Sequence, residues 1–348
     1  MSAWLPSWLP IRRAARADVV GLDVGGPSTK VVRLRRMGDG PTVVAADVLP
    51  RLAAPAPGAP ETQPDPLPLP KALQGVHAAM AVTTPHTSVR LLVVPGGQEK
   101  ADQLNFNELL TIPEGLDYRV GYDVLSAENR SEWTLLAAAL PQSQARWAAM
   151  LLPHGLPALC SLQVGGVATL NAVSAELAAH HGDACALSVE VGTERTNVSA
   201  FHKGRLALFR QCAIGSQTLL HSVQQRFGVE DELAPGILED GVIDASQTVA
   251  EAIEPFLRQL VLAREFVERK RMCRIEKILL CGTLLGARHW CARIEAITGI
   301  VPVVWDPLAV VPVASGACTD RVKGLESRFA AAMGAALAVL EAGSDLPH

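Results

Sequence analysis

The stretch Asp23-Val24-Gly25-Gly26-Pro27-Ser28-Thr29-Lys30 combines the residue types that hold a phosphate. Glycine lets backbone amides approach an anion closely, and consecutive amides can form a concave anion site. Gly25 and Gly26 offer that approach, Ser28 and Thr29 add hydroxyl donors, and Lys30 can bring a positive charge back over the turn. Asp23 can hold a magnesium ion through water, because magnesium keeps most of its waters and takes only one or two carboxylates. The same residues also suit an ordinary hairpin whose glycines only reverse the chain.

The plan recurs at 184–201, where Glu190-Val191-Gly192-Thr193-Glu194-Arg195-Thr196 separates two apolar runs. Both turns pair an acidic residue with a glycine two places on. Both end in a polar residue that can face a ligand, Lys30 in the first and Thr196 in the second. A third glycine turn, Gly282-Thr283, follows the apolar run Ile278-Leu279-Leu280-Cys281. One hairpin in each half and the late turn can converge on a single nucleotide, and an internal repeat of this kind marks a duplicated plan.

The elements that must position these turns follow from the apolar pattern. Residues 18–24 and 29–34 read as strands on either side of the first turn, and 42–49 as a third strand. Residues 50–70 are dense in proline and alanine and read as a linker or exposed loop. A short helix over 71–79 leads to strands at 80–85 and 88–95. Residues 96–158 read as a separate module in the order helix (98–110), strand (117–125), strand (132–139), helix (143–152). A helix over 167–180 precedes the second hairpin, and 204–213 supplies its third strand. Residues 217–227 and 246–271 read as helices, the longer one with Val249, Ile253, Phe256, Leu257, Leu260, Val261 and Phe266 at apolar positions. Strand 277–281, helix 287–297, strand 301–305 and helix 329–341 close the chain. Strands alternating with helices make this an α/β protein.

The chain of 348 residues is long enough for two domains or several subdomains. With 49% hydrophobic and 19% charged residues and a net charge of -4, it is a globular composition without the basic field that nucleic acid requires. The seven cysteines are widely spaced, several lie in apolar runs, and none follows a zinc spacing, so reduced and buried thiols are expected. His180-His181 reads as a helix end rather than a metal site. No apolar run is long enough to span a membrane, and 329–340 is an alanine-rich segment of helix-core type. Residues 1–17 repeat Trp4-Leu5-Pro6 as Trp8-Leu9-Pro10 beside Arg12, Arg13 and Arg16. Tryptophan beside arginine suits weak contact with a membrane surface, and a frayed terminus or a docked arm is the alternative.

Four stretches, taken in order, resemble the PilM family of type IV pilus assembly proteins, an actin-like ATPase branch related to FtsA. The first is Gly21-Leu22-Asp23-Val24-Gly25-Gly26-Pro27-Ser28-Thr29-Lys30-Val31-Val32. The second is Leu109-Leu110-Thr111-Ile112-Pro113 followed by Leu116-Asp117-Tyr118. The third is Phe209-Arg210-Gln211-Cys212-Ala213-Ile214-Gly215-Ser216 with Leu219. The last joins Ile278-Leu279-Leu280-Cys281-Gly282-Thr283, Val303-Val304-Trp305-Asp306-Pro307 and Ala332-Met333-Gly334-Ala335-Ala336-Leu337. The resemblance runs over 18–342. The chain departs from the pattern at Glu190, where the family has Asp, and at Thr283 and Ser216, where it has a second glycine.

The resemblance implies an actin-like ATPase fold of two RNase H-like halves with a helix–strand–strand–helix subdomain inserted in the first. Its division of the chain is a 1–17 tail, a first subdomain of 18–95 and 159–182, and the insertion at 96–158. A second subdomain then takes 183–215 and 274–342, with a helical nucleotide-side subdomain at 216–273. It implies ATP and magnesium as ligands. Asp23, Gly25, Gly26, Ser28, Thr29, Lys30, Glu190, Gly192, Thr193, Thr196, Gly215, Gly282 and Thr283 would bind the nucleotide, with Asp23 and Glu190 toward the metal through water. No catalytic residue is assigned, and ATP would act more as a structural ligand than as a fuel. The implied role is a cytoplasmic scaffold, peripheral at the inner membrane, that binds the N-terminal tail of a PilN-like membrane protein. Trp4 and Trp8 would add a weak membrane contact. The alternatives are a divergent small-molecule kinase or ATPase, with Asp123 or Asp183 as the available carboxylates, and a scaffold that has lost nucleotide binding.

Overall fold

The computed structural model describes residues 16–38, 40–60, 62–96, 103–129, 132–152, 155–240, 243–283 and 287–341. The chain forms two compact units, Met1–Ala175 with Pro307–His348, and Glu176–Asp306. The expected contact through Trp4 and Trp8 lies outside the described residues, as do 284–286. Among the described residues no helix is long and apolar enough to cross a membrane.

In the first unit the strands are β1 (Asp18–Val24), β2 (Thr29–Met37), β3 (Gly40–Leu49), β4 (His77–Val82) and β5 (Ser88–Pro95). Helix α1 (Phe106–Leu109), β6 (Tyr118–Asn129), β7 (Glu132–Pro141), α2 (Gln142–Met150) and β8 (Ala158–Val164) follow, and α3 (Gly165–His180) carries the chain across the division at 175–176. Five strands make one sheet in the order β3-β2-β1-β4-β8. β1 sits at its centre, antiparallel to β2 and parallel to β4. A central strand has both faces covered, which is why 19–24 is an unbroken buried run rather than an alternating one. The second sheet of this unit has the order β5-β7-β6 and is antiparallel throughout. Leu110, Leu135, Ala137 and Ala139 are buried against one of its faces, and Phe106 stacks on Tyr122 with ring centroids 5.1 Å apart.

The second unit contains β9 (Ala186–Val191), β10 (Thr196–His202), β11 (Arg205–Cys212), α4 (Ser216–Phe227), α5 (Ala234–Asp240) and α6 (Ser246–Arg271). β12 (Lys277–Gly282), α7 (Ala287–Thr298) and β13 (Val303–Val304) complete it. Its sheet order, β11-β10-β9-β12-β13, repeats the plan of the first: a three-strand antiparallel meander whose first strand pairs in parallel with the next. The core lies under α6, where Val249, Ile253, Phe256, Leu257, Leu260, Ala263 and Val267 are buried. Phe256 meets Trp290 of α7 edge to face at 5.4 Å. Arg269, Lys270 and Arg271 end α6, where cations complement the helix dipole.

The structure departs from the sequence expectations in several places, and β8 and α5 form where the sequence reading placed no element. β5 pairs with β7, so 88–95 share a sheet with strands of the module expected at 96–158. The closing helix, Ala330–Glu341, belongs to the first unit, as does everything from Pro307 on, and not to a second subdomain reaching 342. The reason is packing. A methyl group on Gly21 of β1 would collide with the Ala332 carbonyl, and one on Gly334 would collide with the Ala168 carbonyl of α3. Glycine at both points lets the helix backbone lie directly on the strand and on α3. The preceding segment is tied to β3, with the Thr319 hydroxyl at 2.6 Å and the Arg321 Nε at 2.9 Å from Asp47 Oδ1. Residues 71–79 form only a single 3-10 turn, Lys71–Leu73, before β4. Of the helix expected at 98–110, the described part is Phe106–Leu109, with 97–102 outside the described residues. On α6, Phe266 is exposed and Val267 takes the buried position.

Candidate functional site

The first turn joins β1 to β2, whose register places Asp23 opposite Lys30 on one face of the sheet. Both side chains are buried, and the Lys30 ammonium lies 2.7 Å from Asp23 Oδ2. It also donates to the Ser28 carbonyl at 3.0 Å. The other carboxylate oxygen accepts a hydrogen bond from the Thr83 hydroxyl at 2.7 Å. Gly25 has φ +95, in the left-handed region, and a methyl group there would stand 2.5 Å from the Thr83 carbonyl oxygen. A methyl on Gly26 would stand 3.4 Å from the Lys30 ammonium. Glycine is therefore required at Gly25, by backbone conformation and close approach, while a methyl on Gly26 would make only an ordinary van der Waals contact with the cation.

Thr29 and Lys30 are neighbours on a strand and point to opposite faces. Thr29 is fully buried and its hydroxyl has no hydrogen-bond partner among the described residues, so it does not join Ser28 on the Lys30 side of the turn. Thr83 is the residue the sequence reading passed over. It follows β4, in the polar doublet Thr83-Thr84, and strand β4 runs parallel to β1. A polar pair at the end of a strand that neighbours the turn was the signal. Thr83 also packs against the start of α3, where a methyl on Gly165 would collide with its hydroxyl.

In the second unit, Glu190, Gly192, Thr193, Gly215, Gly282 and Thr283 come together. β9 and β12 are parallel neighbours in register Glu190 to Cys281 and Val191 to Gly282. The Thr283 N–H donates to the Val191 carbonyl at 2.6 Å, and Gly282, at φ +98, has no room for a side chain against that same carbonyl. Gly215 likewise lies directly on the Thr193 carbonyl. The first amides of α4 are used internally: Ser216 N–H donates to Gly192 O and Gln217 N–H to Thr193 O, each at 2.9 Å. Glu190 Oε2 accepts from the Asn197 amide at 2.8 Å, and Asn197 in turn accepts from Gln211 at 3.2 Å. Thr196 is fully buried and donates to the Ile214 carbonyl at 2.6 Å, so its hydroxyl joins two turns of the protein instead of facing outward. Burial first, and then the Glu190 carboxylate, push the Cys281 thiol well above its ordinary range. Cys281 is a core thiol.

A metal bound directly to Asp23 would have to displace Lys30 from one oxygen or Thr83 from the other. Among the described residues no group of three His, Cys, Asp or Glu side chains could hold a metal ion, and His181 instead lies 3.1 Å from Glu176. A direct magnesium bond to Asp23 therefore conflicts with the turn as it is built, whereas the contact expected at Asp23 and Glu190 runs through water and leaves these bonds in place. The Lys30 ammonium and the half-buried Ser28 lie at one turn, and Asp23 neutralises the cation. An anion would compete with Asp23 for Lys30, and charge-assisted bonds are strong enough to divide one ammonium between two acceptors.

Neither a family model nor a curated protein sequence matches the chain. Solved structures do. A PilM-PilN type IV pilus biogenesis complex aligns over 95% of this chain and 100% of that chain, with 18% identity and a TM-score of 0.68. A protein from Bacteroides thetaiotaomicron, described as having an actin-like ATPase fold, aligns over 89% and 95% of the two chains with 10% identity and a TM-score of 0.47. The archaeal actin homolog Ta0583 aligns over 92% and 98% with 13% identity and a TM-score of 0.44. With one strand order used twice and a match to the PilM-PilN structure along nearly its whole length, the chain has the actin-like ATPase fold.

Proposed function

We propose that this chain is a PilM-like scaffold of a type IV pilus assembly platform, binding the cytoplasmic tail of a PilN-like membrane protein and holding ATP as a structural ligand. The observation that carries this reading is the likeness to the PilM-PilN structure, which takes in 95% of the chain, more than the two repeated sheets alone account for. The inserted β5-β7-β6 sheet supplies a surface for the tail. β5 is its edge strand, and Leu91 and Val93 lie two residues apart on one face, with Val93 59% exposed.

ATP, when bound, would supply a polyphosphate to the first glycine turn. Lys30 gives the phosphate its cationic contact, Gly25 and Gly26 keep the backbone within reach, and Asp23 with Thr83 fixes the position of Lys30. On the second unit, Gly282 and Thr283 offer small, half-buried surface beside Gly192. The kinase alternative has weaker support. Asp123 lies on β6 opposite Leu136, hydrogen-bonded to its neighbour's N–H, and Asp183 is exposed in a turn before β9. Among the described residues neither carboxylate belongs to a cluster with the geometry of a general base.

The test is calorimetric titration with a synthetic peptide of the cytoplasmic tail of a PilN-like protein from the same genome. Saturable one-to-one binding is expected, weakened at least about tenfold by Val93→Glu, since a charge set against an apolar interface costs more than the roughly 1.4 kcal/mol that tenfold represents. An absence of binding by the wild-type chain overturns the scaffold reading.

A further inference from the structure

Cys185 and Cys273 face each other within the second unit with their sulfur atoms 2.7 Å apart. That is less than ~1 Å from the bonded distance of about 2.05 Å. The backbone holds both sides of the pair. The Cys185 carbonyl accepts the Glu276 N–H at 2.9 Å, and the Cys273 N–H donates to the Glu268 carbonyl at 3.2 Å, where α6 ends in a left-handed Met272. Cys185 is buried, while Cys273 is half-buried and within reach of a small reagent.

We propose that Cys185 and Cys273 are a redox-active dithiol that closes to an intramolecular disulfide by exchange with a low-molecular-weight disulfide. The Cys273 thiolate attacks one sulfur of the reagent and releases the other as a thiol, leaving a mixed disulfide on Cys273. Cys185 gives its proton to water, attacks the Cys273 sulfur and releases the second reagent thiol. Two protein thiols are oxidised and one reagent disulfide is reduced to two thiols. Burial, followed by the neighbouring thiol, pushes Cys185 up to about 12, so the first attack falls to Cys273.

The position of the bond gives it a consequence. Cys185 immediately precedes β9, and Cys273 lies in the short segment between α6 and β12. β9 and β12 are paired from Ala186 and Lys277 onward, and their far ends carry Glu190 to Gly192 and Gly282 to Thr283. The disulfide therefore pins together the near ends of the two strands that present the second and third glycine turns. A closed loop that spans α4, α5 and α6 also restricts the unfolded chain.

The experiment equilibrates the folded full-length chain with oxidised glutathione, alkylates the remaining thiols, and maps peptides by mass. The expected result is a peptide pair linked through Cys185 and Cys273, two of the seven cysteines lost to alkylation, and a thermal midpoint raised by several degrees. Cys273→Ala treated in the same way shows neither the link nor the shift. Full alkylation of Cys185 and Cys273 in the treated wild-type chain overturns the proposal, as does finding either of them linked to a different cysteine.

Discussion

Replacing Lys30 by methionine isolates the interaction on which the first turn depends. The Asp23 and Lys30 side chains are only 6% and 8% exposed, so the carboxylate left behind in Lys30→Met is nearly cut off from water. It retains the Thr83 hydroxyl at 2.7 Å and loses the ammonium at the same distance. Removing one partner of a buried ion pair costs about 3–5 kcal/mol, against at most about 1 kcal/mol for an exposed pair. For a unit of this size each kcal/mol lowers the midpoint by roughly 2–4 °C, giving a drop on the order of 6–20 °C. Methionine keeps most of the lysine stem, so lost packing adds little. Asp23→Asn with Lys30→Met removes both charges, and that double variant is expected to recover most of the loss, because a neutral pair of similar volume can replace a buried ion pair at little cost. Urea unfolding of the wild type, both single variants and the double variant completes the cycle, provided the slope with urea is unchanged. A cost below about 1 kcal/mol for Lys30→Met would refute the argument, since it would mean that the pair behaves as a surface contact.

Two further outcomes follow from the same geometry. Gly282→Ala combines a left-handed φ of +98 with a collision against the Val191 carbonyl, whereas Gly228→Ala, at φ +64, meets nothing within 4 Å. Urea unfolding should show Gly282→Ala costing at least ~1–2 kcal/mol more than Gly228→Ala, and equal costs would mean that the close approach carries no weight. Hydrogen bonding from Arg33 lowers the Asp18 carboxyl below its ordinary range, with a further contribution from Arg35, against the opposing effect of burial. A depressed carboxylate stabilises the fold above its unfolded pKa and loses that contribution as pH falls through the folded value. Asp18→Asn should therefore be destabilising at pH 7, with the difference from the wild type shrinking steadily below about pH 4, and a difference independent of pH would show that the charge is not involved.

Much of the fold can be read locally. The two strand–turn–strand repeats declare themselves because a central β strand is apolar on both faces and its glycine turn is polar, a contrast visible within a few residues. The long helix Ser246–Arg271 is equally plain, although Phe266 and Val267 exchange roles because neighbouring positions differ by about 100° around a helix. What sequence could not supply was the identity of non-local partners. Ser88–Pro95 looks like any other strand, and only its pairing with β7 sets it in the inserted sheet. The closing helix is alanine-rich and buried, and its place on β1 depends on Gly21 and Gly334 being glycine where backbones cross. At the site, residue type was a better guide than orientation. Asp23 and Lys30, read as metal and phosphate contacts, pair with each other, while the Thr29 and Thr196 hydroxyls point into the protein, and Thr83 supplies the hydroxyl that Asp23 uses.

The decisive measurement is calorimetric titration of ATP, with magnesium and with chelator, into the wild-type chain and into the Asp23→Asn, Lys30→Met double variant, with phosphate release followed on the same samples. The structure leads us to expect saturable binding by the wild type that persists in chelator and is accompanied by phosphate release no faster than in buffer. The double variant should bind at least about tenfold more weakly, as loss of a charge-assisted contact of roughly 1.5–3 kcal/mol implies. Equal affinity in the two proteins, no binding by the wild type, or rapid turnover by the wild type would contradict a structural nucleotide held by Lys30.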